Sequence, residues 1–532
     1  MKNIFKYLSV IILLITFSCT DIIDLKSESN ISVENFYGNY TDLQVGLTSC
    51  YKGMQAPLSE EWSMTELRSD NTTMDSGTST STVKHDLIYL DQFYPPTTHQ
   101  GIYNYWLKTY NNIRNTNIVL NATGANYNET SGTIEYESVQ IPVTLSQCKS
   151  IAAEASFIRA YHYFNLVRLY GGVFLIHEPI TPEQAKTINR STVDAIYKLI
   201  EADLKNTIAN GTSPAYSSNS ADLGHANTYA AKALLAKVYL TLNRKSEASV
   251  LLQDIINSNQ YALQASYANV FSVNNEMNSE ILFAIRFKGG GLGMGNPLPN
   301  NFAPTNSGNA VINGDGDGYN TPILEITKPS SSYTNYIDPS GTRNAANIGL
   351  YSTSSYYAKK YISPTLIAYD AENDWPVLRY ADVLLMKAEA DGNVTSSLGY
   401  INQVRVRAGL AALTSANVTS VANFEKALAS ERRWEFAFEN QRWFDLMRFS
   451  TTMSTMSLSS DEFPNLKVQG AEYVMKKHFK NMWSKVYSGF TVLPIQLTQL
   501  ISNTNPDHFL LPIPQYEIDT NSFITIQQNP GY

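Results

Sequence analysis

The chain has 532 residues, 43% hydrophobic and 16% charged, a globular composition that excludes wholesale disorder and leaves room for two to four domains or one large composite core. Its 39 basic and 47 acidic residues give a formal charge of −8 and a pI near 5.5. That balance excludes a nucleic-acid scaffold, since phosphate binding needs clustered Lys and Arg.

At the N-terminus, Lys2 and Lys6 precede an apolar run from Tyr7 to Phe17. The run is too short for a ~30 Å bilayer, which takes roughly 20 residues, and reads instead as a secretory signal peptide over 1–18. It ends in Thr16-Phe17-Ser18-Cys19, a small residue before a thiol, as a lipoprotein signal peptidase requires. Thr16 departs from the Leu usual at that position. The expectation is lipidation at Cys19 followed by a polar, mixed-charge tether over 19–35, so that the protein is anchored rather than spanning. Cys50 and Cys148 remain; their spacing leaves them either paired or free, and with no CxxC neither has a catalytic setting.

Helical periodicity then dominates. Glu154 to Leu169 places Ala155, Ile158, Tyr161/His162 and Asn165 at three-to-four spacing, and Gly171-Gly172 stops the helix. Tyr229 to Leu242 carries a stripe of Ala231, Leu235, Val238 and Leu242, and a polar turn over 243–245 leads to a second stripe of Ala248, Leu251/Leu252 and Ile255. Two Ala-rich amphipathic helices joined this tightly match a tetratricopeptide-type unit. A second pair is predicted at Tyr380–Ala390 and Ser397–Ala408, and one long helix from Val421 to Phe449. Residues 59–145 and 286–375, rich in Ser, Thr, Asn, Gly, Pro and Tyr, read as long irregular insertions, which in compact proteins are usually functional or disordered; their many aromatics favour the functional reading. The fold class is therefore mainly α: helix pairs carrying loop-rich insertions, divided into regions 36–275 and 276–532.

No catalytic signature occurs. HExxH and GxSxG are absent, and the seven histidines show no metal-ligand spacing. The glycine run 289–295 lacks a following Lys and leads into Pro297, so it is a loop rather than a phosphate cradle. Glu431, Glu435 and Glu439, four residues apart and interleaved with Arg432, Arg433 and Arg442, read as a structural ion-pair stripe. Asn313, Asp315, Asp317 and Gly318 match the start of a calcium loop, but Glu325 falls one residue past the bidentate position, and the reading adopted is a turn-rich loop. No metal and no cofactor are expected.

Four stretches together resemble the SusD/RagB family of outer-membrane nutrient-binding lipoproteins: EASFIRAYHYFNLVRLYGGV (154–173), WPVLRYADVLLMKAEA (375–390), ERRWEFAFENQRWFDLMRF (431–449), and LLPIPQYEIDTN with QQNPGY (510–521, 527–532). WLKTYNNIRNTN (106–117) and TELRSDN (65–71) are minor echoes. The resemblance implies a SusD-like fold with tetratricopeptide-like pairs, a lipid-anchored position on the outer membrane facing the cell exterior, and a SusC-like TonB-dependent transporter as partner. It implies oligosaccharide capture without catalysis, and no nucleic acid. It carries no ligand site across, because ligand residues in the family vary with the glycan.

Sugars offer apolar C–H faces and polar edges, so their contacts should be Tyr or Trp rings with Asn, Asp, Arg and Gln on exposed loops. The candidates are Trp62, Asp70, Asn71, Tyr89, Phe93 and Tyr94 in the first insertion, and Phe302, Tyr319, Asn320, Tyr351, Tyr356 and Tyr357 in the second. Tyr89, Tyr94, Tyr319 and Asn320 are the expected ligand residues. Trp106, Trp375, Trp434 and Trp443 lie in the helical motifs and are assigned to the core. The competing readings are a peptide or other nutrient as ligand, a glycoside hydrolase pairing Asp70 with Asp315 or Asp317, and a purely structural repeat protein.

Overall fold

Side-chain caps start most of the long helices. Asn39 accepts from the backbone of Thr41 and Asp42 and opens α1 (Tyr40–Gly53) with a reciprocal capping box. Thr144 and Gln147 do the same for a 26-residue helix, Leu145–Tyr170, which Gly171 ends at φ +72°. The computed structural model describes residues 36–74, 82–212, 223–319, 321–322, 338–352, 355–453, 470–486 and 494–532. The signal peptide, Cys19 and the tether lie outside the described residues, as does Asn320.

In chain order α1 is followed by α2 (Gln55–Thr65), α3 (Thr82–Asp91), α4 (Gln100–Ala122), α5 (Leu145–Tyr170), α6 (Val193–Asn210), α7 (Thr228–Thr241) and α8 (Lys245–Asn257). After the second insertion come α9 (Tyr380–Asp391), α10 (Leu398–Arg407), α11 (Val421–Glu435) and α12 (Arg442–Thr452). Neighbours in sequence pack in space: α4 on α5, α5 on α6, α7 on α8, α8 on α9 and α9 on α10. Asn243, left-handed at φ +57°, makes the tight turn between α7 and α8. The two predicted helix pairs are therefore present. One continuous hydrophobic cluster runs from Leu43 to Ile526. No helix among the described residues is long and apolar enough to cross a membrane.

Among the described residues the strands are short and form four two-stranded antiparallel sheets. β1 (Thr72–Thr73) pairs β5 (Thr321–Pro322), β2 (Ala125–Asn128) pairs β3 (Thr133–Tyr136), β4 (Ile281–Ile285) pairs β8 (Trp375–Arg379), and β6 (Ile348–Leu350) pairs β7 (Tyr356–Ala358).

Three expectations are corrected. Residues 59–145 are not an irregular insertion; they hold the end of α2, α3, the 23-residue α4 and the β2–β3 hairpin. The inward face of α4 includes Asn112 and Asn117, polar residues that mask the helical stripe. Both are buried with partners: Asn112 donates to the Cys50 carbonyl, and Asn117 takes a bond from Arg159. The single helix expected over 421–449 is broken, because Phe438 and Asn440 adopt φ +65° and +58° between α11 and α12. Tertiary bonds hold that break: the Phe438 N–H donates to Glu66 Oε1 at 3.0 Å and Asn440 Nδ2 reaches Glu61. Trp375 lies on a strand rather than a helix, although it is buried with Trp106 and Trp443; Trp434 is half-buried against the same core.

The glutamate stripe is structural, as read, but Glu439 falls beyond the end of α11. Glu431, Glu435, Glu439, Glu280 and Asp338 meet Arg343, Arg379, Arg405, Arg407 and Lys360 in one buried, charge-balanced network. Cys50 and Cys148 are both buried and free, and burial pushes the Cys50 thiol up to about 12.

Candidate ligand-binding face

The β1–β5 pairing joins the two predicted ligand-bearing regions, with Thr72 opposite Pro322 and Thr73 opposite Thr321. Asp91 at the end of α3 locks this junction from the other side: its Oδ2 accepts from Thr73 Oγ1 at 2.8 Å and from the Met74 N–H at 3.2 Å. Burial raises the Asp91 carboxyl to about 7, against which its two hydrogen bonds pull only partly.

On either side of Asp91 the chain presents an aromatic pair, Tyr89 and Tyr94. Phe93, left-handed at φ +58°, turns its ring inward onto Trp443 and Phe509, with the Arg68 guanidinium 5.0 Å from its ring centre. That turn leaves Tyr94 40% exposed, edge-on to Tyr89 with ring centres 5.1 Å apart. Tyr89 itself is half-buried.

Tyr319 is presented differently. Its ring lies parallel to Trp62, 8° apart in plane and 6.3 Å between centres, while Trp62 meets Phe302 edge-on behind it. Trp62 is 3% exposed and Phe302 is buried, so both brace the half-buried Tyr319 from within. The loop before it is fixed by backbone bonds from Asp317, Gly318 and Tyr319 to the carbonyls of Asn300, Ala303 and Asn301. Buried Asn300 also donates to the carbonyls of Asn313 and Asp315 and accepts from the Tyr369 N–H. Asp315 accepts from the backbone of Gly316 and Gly308 and from Ser307, bonds that hold its carboxyl below the usual range, the Gly316 N–H most of all. Asp317 accepts from Asn301 and from the Tyr369 hydroxyl. Both carboxylates thus serve the loop, and no group of three metal-ligating side chains occurs among the described residues.

Several predicted contacts are core residues. Trp62, Phe93 and Phe302 are buried braces. Asp70 is closed in by Arg442, which grips it with two bonds of 2.7 and 3.0 Å, and by Arg433. Burial pushes its carboxyl up, but Arg433 and Arg442 prevail and hold it well below the usual carboxylate range. Asn71 is buried between Arg433 and Glu66. The segment reads as a loop because its Ser, Asp and Asn are polar; Asp70 and the Asn71 amide oxygen find their partners on α11 and α12, more than 360 residues away. Tyr351 is exposed, with its hydroxyl on the Asn306 carbonyl, while Tyr356 and Tyr357 are half-buried on β7.

One feature of the face went unpredicted. Tyr103 on α4 and Tyr516 near the C-terminus stand 5.1 Å apart, with Tyr516 59% exposed. A bond from the Gln515 N–H to the Thr97 carbonyl ties this pair to the loop that follows Tyr94. Tyr516 sits in a tail motif that reads as structural, and nothing in the local sequence distinguishes it from its neighbours.

A helical body bearing half-exposed tyrosines on joined loops is the architecture of a binding scaffold. The chain belongs to the SusD family: the model described as "SusD family" matches residues 251–532, and one described as "Starch-binding associating with outer membrane" matches 21–240. Among curated relatives, SusD-like protein P25 of Formosa agariphila is 25% identical over 100% of this chain and 99% of its own length, and SusD-like protein P38 of the same organism is 26% identical over 86% and 93%. Among solved structures, a laminarin-binding SusD-like protein superposes with a TM-score of 0.68 at 23% identity, covering 93% of this chain and 100% of the other. Surface glycan-binding protein A from Bacteroides thetaiotaomicron, in complex with laminarihexaose, gives 0.67 at 18% identity over 92% and 99%. These structures share the fold seen here.

Proposed function

We propose that this chain is a non-catalytic cell-surface protein, lipid-anchored at Cys19 on the outer membrane, that captures oligosaccharide on the Tyr89–Tyr94 and Tyr319 face. It then delivers the sugar to a SusC-like TonB-dependent transporter. The observation that carries the ligand class is the end-to-end likeness to SusD-like proteins, two of whose solved relatives are named for laminarin and laminarihexaose. The geometry supports the place. Tyr319 is held rigid by Trp62, and a braced ring loses little conformational entropy when a sugar face covers it. The non-catalytic reading is supported by the state of the acids that a hydrolase would use here. Asp70 is committed to two arginines, and Asp315 and Asp317 to their own loop.

The test is a glycan array that includes β-1,3-glucan oligosaccharides, with hits measured by calorimetry. Tyr94→Ala and Tyr319→Ala are each expected to weaken a hit about tenfold or more, the loss typical of removing an aromatic anchor (~1.4 kcal/mol). A hit that both variants leave intact would move the site off this face. Binding to protein digests but to no glycan would replace the ligand class.

A further inference from the structure

Tyr369 is 43% exposed and holds a left-handed backbone at φ +59°. That conformation is costly for a bulky side chain and persists only where the surroundings fix it. Here they fix it twice. Its N–H donates to buried Asn300 Oδ1 at 2.8 Å, and its hydroxyl donates to Asp317 Oδ1 at 3.1 Å. The Tyr319 N–H bonds the carbonyl of the adjacent Asn301 at 2.8 Å, and Asn301 Nδ2 donates to the other Asp317 oxygen. The two segments also press together, since a Cβ on Gly314 would come within 2.2 Å of Ala368 Cβ. Tyr319 and Tyr369 therefore stand on one block, with the half-exposed Asp317 carboxylate tied into both loops.

Charge on this block has one sign. Segments 298–319 and 361–372 contain no Lys, Arg or His. Asp315, Asp317 and Asp370 accept only from neutral donors among the described residues. Glu372 is matched by Lys288, and Lys52 approaches from α1 to bond the Gly293 carbonyl. Resting on the reading that this face captures glycan, we propose that Tyr369 is a ligand contact alongside Tyr319, and that their site selects uncharged oligosaccharides over uronate or sulfated ones. An exposed tyrosine ring suits the apolar C–H face of a sugar. Asp317 can serve the sugar's hydroxyls, because a carboxylate accepts about four hydrogen bonds and the described residues use two. An anionic sugar would instead meet like charges, with no Lys or Arg on either segment to answer it.

Calorimetry on the full chain in detergent tests this, with neutral hexose oligosaccharides as probes, each paired with its C6-oxidised uronate form. At low ionic strength the neutral member of a pair should bind about tenfold more tightly or better, and added salt should shrink the gap. Tyr369→Ala should weaken the neutral probe about tenfold. Tyr369→Gly should do the same; it removes the ring but suits the positive φ, so its effect reports the lost contact rather than a strained loop. Asp317→Asn should narrow the gap between neutral and uronate forms several-fold. Uronate forms bound as tightly as neutral ones would overturn the selectivity. Tyr369 variants of undiminished affinity, where Tyr319→Ala weakens binding, would overturn the contact, and either result leaves glycan capture standing. No binding to any probe would overturn this proposal and count against the capture reading as well.

Discussion

Arg379→Ala should destabilise the protein by about 3–5 kcal/mol, the range for removing one partner from a buried ion pair, and that is a large share of a typical stability of ~5–15 kcal/mol. Arg379 is buried, and its guanidinium makes five hydrogen bonds: two to the Glu439 carboxylate, one each to the carboxylates of Glu280 and Glu435, and one to the Glu435 carbonyl. Its removal takes one counter-charge from three buried acids at once, leaving Glu439 with Lys360, Glu280 with Arg407, and Glu435 with Arg343 and Arg407. Burial pushes Glu435 up, yet Arg407, Arg379 and Arg343 together bring it down to about 2. In the intact protein that carboxylate therefore contributes stability above the ordinary glutamate range, lost as pH falls toward 2. In the variant the acids that lose their counter-charge shift the other way and take up protons, so the deficit should be smaller at pH 4.5 than at pH 8. Urea unfolding at both pH values measures it. Arg379→Lys should fall between wild type and alanine, since one ammonium cannot replace a five-donor fork. A loss below about 1 kcal/mol for Arg379→Ala would contradict the burial and pairing described here.

The second large effect runs in the opposite direction. Asp91→Asn should stabilise the protein at pH 8 by on the order of 2–4 kcal/mol. Burial raises the folded-state carboxyl to about 7, above its ordinary 3.8. The folded protein then holds a proton that the unfolded chain has released, so the contribution is complete below about pH 4 and lost as pH rises through 7. About three units at ~1.4 kcal/mol each set the ceiling. Asparagine mimics the protonated form and keeps an acceptor oxygen for Thr73 and Met74. The gain should shrink toward zero near pH 4. Thermal or urea unfolding of both proteins at pH 5 and pH 8 would sink the idea if the difference were the same at both. Asp91 joins β1 to the end of α3, so sugar affinity should survive the substitution.

How much of this was legible in the sequence varied with the kind of feature. Helices with apolar stripes and caps within a few residues, such as Thr228–Thr241 and Tyr380–Asp391, could be read from local spacing alone. So could the glycine stop after Tyr170 and the structural role of the glutamate stripe. Of the four expected ligand residues, Tyr94 is exposed, Tyr89 and Tyr319 are half-buried, and Asn320 lies outside the described residues.

The sequence by itself determined the family and the helical class, because amphipathic period, caps and motif order are properties of neighbouring residues. Only the tertiary structure decided which polar residues are inside. Asp70 and Asn71 read as exposed loop candidates and are core, as are Asn112 and Asn117 of α4, since each finds donors or acceptors on elements distant in the chain. The break at Phe438–Asn440 has the same origin. A left-handed backbone at two non-glycine residues is costly locally, and it persists because Glu66, Glu61 and Arg379 bind what the break exposes. Partners brought together from opposite ends of the chain leave no mark in the local pattern of either segment.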